Sequence, residues 1–305
     1  MDTPAAPRFG AVLTAMVTPF DGDGRLDLDT AATLAQWLVD HGSDGLVIAG
    51  TTGESPTITV DEQIQLFGTV RAAVDCPVIA GAGSNDTAAA SAMHRAASEA
   101  GVDAILSVTP YYNRPSQDGL YEHFKAAAGH TDLPVMLYDI PVRTGRKIET
   151  STLLRLFDDV PNIVAVKDAA GNPAETARLI AEAGDRVEVY SGDDGMTLPL
   201  LAVGAIGVVS VASHWVGPEM SAMVAAFRAG DVDTARHLNQ DMLESFEFEA
   251  GLDSPNPIPT KAMLRHLGLP VGACRPPMGP EPKGLDVRAA EVWDAVVARR
   301  SGAAQ

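Results

Sequence analysis

Cysteine is scarce in this chain: Cys76 and Cys274 are the only two in 305 residues. Two such distant thiols exclude a disulfide framework and any cysteine-rich metal site, and they fit a reducing, cytoplasmic setting. Basic residues are also in short supply, with 22 Lys and Arg against 40 Asp and Glu and a formal net charge of −18. A nucleic-acid surface needs a basic face, so that class is excluded, and the acidity reads as solubility. No apolar run reaches the roughly 18 residues of a membrane span. The opening MDTPAAPRFG offers no apolar stretch for a signal peptide. The seven histidines form no H-x-x-x-H or H-E-x-x-H pair, and no G-x-G-x-x-G or Walker loop follows a strand. The expectation is no metal and no organic cofactor, with the chemistry carried by side chains.

What the chain has is a regular alternation. Short, near-continuously apolar runs at 11–19, 45–50, 77–83, 104–110, 134–141, 163–168, 187–193 and 207–211 read as strands buried on both faces. Amphipathic segments separate them. In LDLDTAATLAQWLVDHG, Asp29 can cap the start, Leu34, Trp37, Leu38 and His41 share a face, and Gly42 can end the helix. Asp86 and Asn172 offer similar starts. Eight strands in strict alternation with helices predict an α/β fold, a (β/α)₈ TIM barrel. After Gly217 no strand follows, and helical segments begin near Met220, Asp231, Pro259 and Asp286. The expected division is a barrel over 1–230, carrying the active site, and a C-terminal helical extension over 231–305. The closing ARRSGAAQ reads as a frayed tail.

A barrel places its active site at the C-terminal strand ends. Those ends read GTTGES (50–55), TPYYNRP (109–115), YDIPVRTG (138–145), Lys167 with Asp168, SGDD (191–194) and SVASH (210–214). Lys167 ends the apolar run IVAV. Desolvation lowers a lysine pKa, and a neutral amine attacks a ketone where an ammonium cannot. The alternative is an ion pair with Asp168 or another carboxylate. GTTGE supplies the hydroxyls of Thr51 and Thr52 and a turn of backbone N–H groups that can hold a carboxylate, unless it is an ordinary polar loop. Tyr138 can move protons to and from a carbonyl oxygen. Arg143 can grip a second carboxylate, or form a surface ion pair. One nucleophile, one proton shuttle and two anion holders suit making or breaking carbon–carbon bonds in keto acids.

The combination GTTGES, TPYYNRPSQDGLYEHF, YDIPVRTG, VKDA, YSGDD and NPIPTK resembles the dihydrodipicolinate synthase family of pyruvate-dependent Schiff-base aldolases, over essentially the whole chain. The resemblance implies condensation of pyruvate with aspartate semialdehyde, on the way to diaminopimelate and lysine. It implies a homotetramer built as a dimer of dimers. Lys167 matches the imine-forming lysine. Tyr138, Thr51 and Tyr112 match a proton-relay triad in which the residue matching Tyr112 comes from the neighbouring subunit. Thr52 matches a threonine beside the pyruvate carboxylate, and Arg143 the arginine that receives aspartate semialdehyde. Gly192 and Val209 match backbone contacts near the lysine, with valine where isoleucine is common. Asp168 stands for a frequent glutamate. NPIPTK matches a link from the helical domain to the barrel, equally readable as a proline-rich structural turn. Lysine-sensitive members carry histidines at the positions of Val60 and Gln63 and a glutamate at that of Ala89, in a pocket with Ser55, Pro56, Asn85 and Tyr111. Related alternatives are N-acetylneuraminate lyase and keto-deoxy-sugar acid aldolases, which alter the second threonine, the Tyr111–Tyr112 pair or the arginine. A different alternative is a non-catalytic ligand-sensing barrel, which loses the lysine or the triad.

Overall fold

The structure, a computed structural model, describes residues 6–251 and 253–302. Eight parallel strands close into a barrel in chain order: β1 Val12–Ala15, β2 Gly45–Ile48, β3 Val78–Gly81, β4 Ala104–Val108, β5 Val135–Asp139, β6 Ile163–Asp168, β7 Glu188–Ser191 and β8 Gly207–Ser210. β1 closes on β8 through Val12–Val208 and Leu13–Val209. Each expected strand is present, one to five residues shorter in seven cases, because the runs continue into apolar loop residues. The helices are α1 Leu28–Asp40, α2 Val60–Ala73, α3 Thr87–Glu99, α4 Gln117–Ala128, α5 Pro141–Thr144, α6 Thr150–Asp159, α7 Pro173–Ala183, α8 Thr197–Ala202, α9 Ser213–Arg228, α10 Val232–Glu249, α11 Ile258–His266 and α12 Leu285–Gly302. No helix is long and apolar enough to cross a membrane, among the described residues.

Alternation along the strands builds two cores. Leu13, Val47, Ile79, Met136, Tyr138, Ala165, Tyr190 and Val209 fill the barrel interior. Leu46, Ile48, Val78, Ile105, Leu137 and Val166 face outward against Leu34, Phe67, Phe124 and Leu156 of the surrounding helices. A third cluster joins α9 to the C-terminal helices through Trp215, Met220, Met242, Phe246 and Met263. There Trp215 donates its indole N–H to Ser245 Oγ at 3.0 Å. This match is what a buried indole requires.

Local signals account for the ends. Asp27, not Asp29, caps α1, accepting from Thr30 N at 3.0 Å and Thr30 Oγ1 at 2.7 Å. Asp29 lies inside the first turn, where its charge suits the helix dipole. Trp37 stacks on His41 at 4.0 Å. Gly42 follows with φ of +96°, and a Cβ there would lie 2.8 Å from the Gly217 carbonyl carbon, so glycine lets α1 approach α9. Asp86 and Asn172 cap α3 and α7 as expected. The tail expectation is corrected: α12 runs on to Gly302, because Arg300 pairs with Glu219 at 2.5 Å and lies over the Trp293 ring. Residues 303–305 lie outside the described residues.

Candidate active site

β6 carries an irregularity that decides where Lys167 points. Val135 pairs with Ile163 but Met136 pairs with Ala165, so one extra residue is accommodated at Val164. From there the phase is fixed: Ala165 faces the interior, Val166 the helices, Lys167 the interior and Asp168 the helices. Lys167 is the register partner of Tyr138 on one side and Tyr190 on the other. Its Nζ lies 4.3 Å from the Tyr138 ring centroid. Burial pushes the Lys167 pKa down to about 8, with Asp194 and Glu249 pulling the other way. Asp168 is not its counter-ion. That carboxylate accepts from Thr176 Oγ1 at 2.6 Å and Ala170 N at 2.9 Å. Gly192 leaves room for the amine's stem, since a Cβ there would fall 3.0 Å from Lys167 Cγ and 3.1 Å from its Cε.

Lys167 opens into a cavity of about 410 Å³ whose lining includes Thr51, Thr52, Tyr138, Arg143, Gly192 and Asn256. Burial drives the Tyr138 phenol up to about 12, while Arg143 and a hydrogen bond with Thr51 act in the opposite sense. The phenol therefore holds its proton at neutral pH and can pass it through Thr51. Thr52 Oγ1 accepts from Asn256 Nδ2 at 2.9 Å, which fixes its rotamer. Arg143 is exposed at the mouth, on the short α5, and carries no ion pair among the described residues. A larger groove of about 660 Å³ near Arg265 and Glu281 offers only Cys274 as a nucleophile. Burial pushes that thiol up to about 12, which suppresses the reactive thiolate.

Two expected site residues lie elsewhere in this chain. Tyr112 is 90 % exposed, in a loop where both it and Arg114 have positive φ, and it does not line the cavity. Val209 packs in the interior core one layer below, and Val211 lines the cavity in its stead. Three others were not foreseen. Asp194 stands in SGDD, where the sequence gives it no distinct role. Asn256 stands in NPIPTK. Glu249 ends α10 on the buried face with Met242, Ser245 and Phe246. Its signal was a glutamate seven, four and three residues after those positions, in helical phase with a hydrophobic stripe.

Barrel and cavity define the class: a (β/α)₈ enzyme centred on a strand-borne amine. A family model described as the dihydrodipicolinate synthetase (DHDPS) family matches residues 8–289. The 4-hydroxy-tetrahydrodipicolinate synthase of Moorella thermoacetica is 52% identical over 273 residues, covering 89% of this chain and 92% of that one. The Bacillus subtilis protein of the same name is 48% identical over 276 residues, covering 89% and 94%. Among solved structures, DHDPS from Cyanidioschyzon merolae with lysine bound superposes with a TM-score of 0.92 at 43% identity, covering 95% and 98%. This chain belongs to the dihydrodipicolinate synthetase family.

Proposed function

We propose that the chain is a lyase that condenses pyruvate, held as a Lys167 imine, with aspartate semialdehyde to give 4-hydroxy-tetrahydrodipicolinate. The observation that carries this is the buried Lys167 amine, at about pKa 8 and 4.3 Å from the Tyr138 ring. Neutral Lys167 adds to the ketone carbon. The carbinolamine oxygen gains a proton and leaves as water, with Tyr138 and Thr51 relaying protons. The imine acidifies the neighbouring methyl group, and loss of a proton gives an enamine. That carbon attacks the aldehyde of the second substrate, whose carboxylate Arg143 holds. The substrate's own amine then displaces Lys167, closing the ring and freeing the enzyme. Thr52 and the backbone of the GTTGE turn hold the pyruvate carboxylate.

We further assign the active site to a barrel of residues 1–230 and the remainder to a C-terminal helical domain. The working form is a cytoplasmic homotetramer, a dimer of dimers, in which a neighbour's Tyr112 completes each relay. The exposure of Tyr112 supports that assembly, as does that of Val142, 87 % exposed. Burying such side chains against a second copy would remove apolar surface from water.

Borohydride reduction with pyruvate tests the assignment. The pyruvate-derived mass should appear on the peptide containing Lys167, and Lys167→Ala should lose nearly all activity while staying folded. Label on Lys125, Lys147 or Lys261 would overturn it. A screen of aspartate semialdehyde against sugar aldehydes as the second substrate tests the product.

A further inference from the structure

Two buried carboxyl groups stand in the Lys167 cavity, and although each acts on the Lys167 amine by its charge, neither makes a salt bridge among the described residues. Asp194 follows β7 and is 3% exposed, and Glu249 ends α10 and is 9% exposed. Asp194 Oδ2 accepts from Val211 N at 2.8 Å and Ala212 N at 3.0 Å, which anchors that carboxyl. Asp194 Oδ1 and Glu249 Oε2 are buried without a donor. We propose that Asp194 and Glu249 together receive the ammonium group of the second substrate, making Glu249 a specificity-determining residue of this chain. This inference rests on the condensation proposed above.

Barrel order supports the placement. Arg143 follows β5, Lys167 ends β6 and Asp194 follows β7, so cation, nucleophile and anion stand on three consecutive strands. An amino acid aldehyde carries a carboxylate and an ammonium on one carbon. Arg143 alone would accept any aldehyde acid. The unpaired oxygens supply the other half of the recognition. Burial, followed by the Asp194 charge, holds the Glu249 carboxyl well above its usual range. An incoming ammonium brings three donors to these two unpartnered oxygens. Asp193 and Glu247 also line the cavity but are exposed, so water already solvates them.

Glu249→Gln keeps the shape and a donor toward Asp194 but cannot become an anion. It should raise KM for aspartate semialdehyde about 10- to 100-fold, the loss expected for one charge-assisted bond. Inhibition by succinate semialdehyde, the same aldehyde acid without the amine, should change less than about twofold, and borohydride trapping of pyruvate on Lys167 should not slow, since losing the Glu249 charge only lowers the amine's pKa further. Equal loss for both aldehydes, loss for neither, or slowed trapping would overturn the proposal. If this variant fails to fold, Glu249→Asp replaces it. That change retains the charge one methylene back, so a smaller loss confined to the amino aldehyde is expected, and an equal or absent loss overturns the idea. Absence of wild-type trapping on Lys167 would remove the condensation itself. Normal trapping with no separation of the aldehydes would remove only this inference.

Discussion

Lys261 Nζ donates to Glu54 Oε1 at 2.6 Å, and both side chains are sealed from solvent. Lys261 also donates to the Ala273 carbonyl at 3.1 Å, and Glu54 Oε2 accepts from Arg275 N at 2.8 Å. The pair ties GTTGES to NPIPTK. It stands beside the Asn256–Thr52 bond, so the same two segments that hold Thr52 are locked together. Removing one partner strands the other charge. Lys261→Met should cost about 3–5 kcal/mol of stability in urea unfolding. Glu54→Gln combined with Lys261→Met should cost clearly less than the two singles added. Strict additivity would mean the charges are not coupled.

The Lys167 amine should titrate far below an ordinary lysine. With a pKa of about 8, roughly a tenth of it is neutral at pH 7, against well under a thousandth at the usual 10.5. The rate of imine trapping with pyruvate should rise about tenfold per pH unit below 8 and level off above it. An inflection near 10 would show that the amine is solvated. The same burial penalises the ammonium form in the folded state. That penalty is present in full below pH 8 and fades as pH rises toward 10.5. Lys167→Met should therefore raise stability at pH 7 by on the order of 2–3 kcal/mol while abolishing activity, and a loss of stability would contradict the desolvation.

The strands were legible because strands covered on both faces read as apolar runs, and Lys167 was legible because it interrupts one. The bulge at Val164 was not, although it sets the phase that turns Lys167 inward. Bulges arise from pairing, which no single strand records. Glu54–Lys261 and Thr52–Asn256 bridge 207 and 204 residues, so nothing local announces them. The cap of α1 fell to Asp27 because LDLDT offers two aspartates two residues apart, and only backbone geometry chooses between them.

Arg143 should act on the second substrate alone. Arg143→Ala should lower kcat/KM for aspartate semialdehyde about 10- to 100-fold, the loss for a charge-assisted hydrogen bond of roughly 1.5–3 kcal/mol. Trapping of the pyruvate imine should be almost unchanged, since Arg143 stands exposed at the mouth. Equal losses in both steps would make it a structural residue.

Tyr112 is 90 % exposed and does not line its own chain's cavity. In the proposed assembly it serves a neighbour's Lys167. Tyr112→Phe and Lys167→Ala proteins, each poorly active alone, should regain activity when mixed, because one hybrid site holds both native groups. Verified subunit exchange without recovery would count against a shared site.

A second cavity, of about 190 Å³, lies against Tyr138 and Thr51 and is lined by Ser55, Pro56, Val60, Gln63, Ala89 and Tyr111 among others. The family resemblance assigns these positions to a lysine pocket, and the Cyanidioschyzon merolae relative was solved with lysine bound. A lysine ligand brings an ammonium group, which needs a carboxylate or several acceptors when it leaves water. No carboxylate lines this cavity among the described residues. Gln63 is a weak substitute, because its amide oxygen is a neutral acceptor, while its nitrogen donates to the Ser55 and Ile58 carbonyls, each at 3.3 Å. Asn85 does not line the cavity, and its carbonyl accepts from Asn113 Nδ2 at 2.7 Å. Loss of a buried charge partner costs about 2–5 kcal/mol, on the order of 30-fold or more in affinity. Initial rates should therefore hardly fall across a lysine titration to about a millimolar, while Ala89→Glu should introduce inhibition by restoring a carboxylate at the pocket wall. Half-inhibition of the native chain well below a millimolar would mean that neutral acceptors suffice.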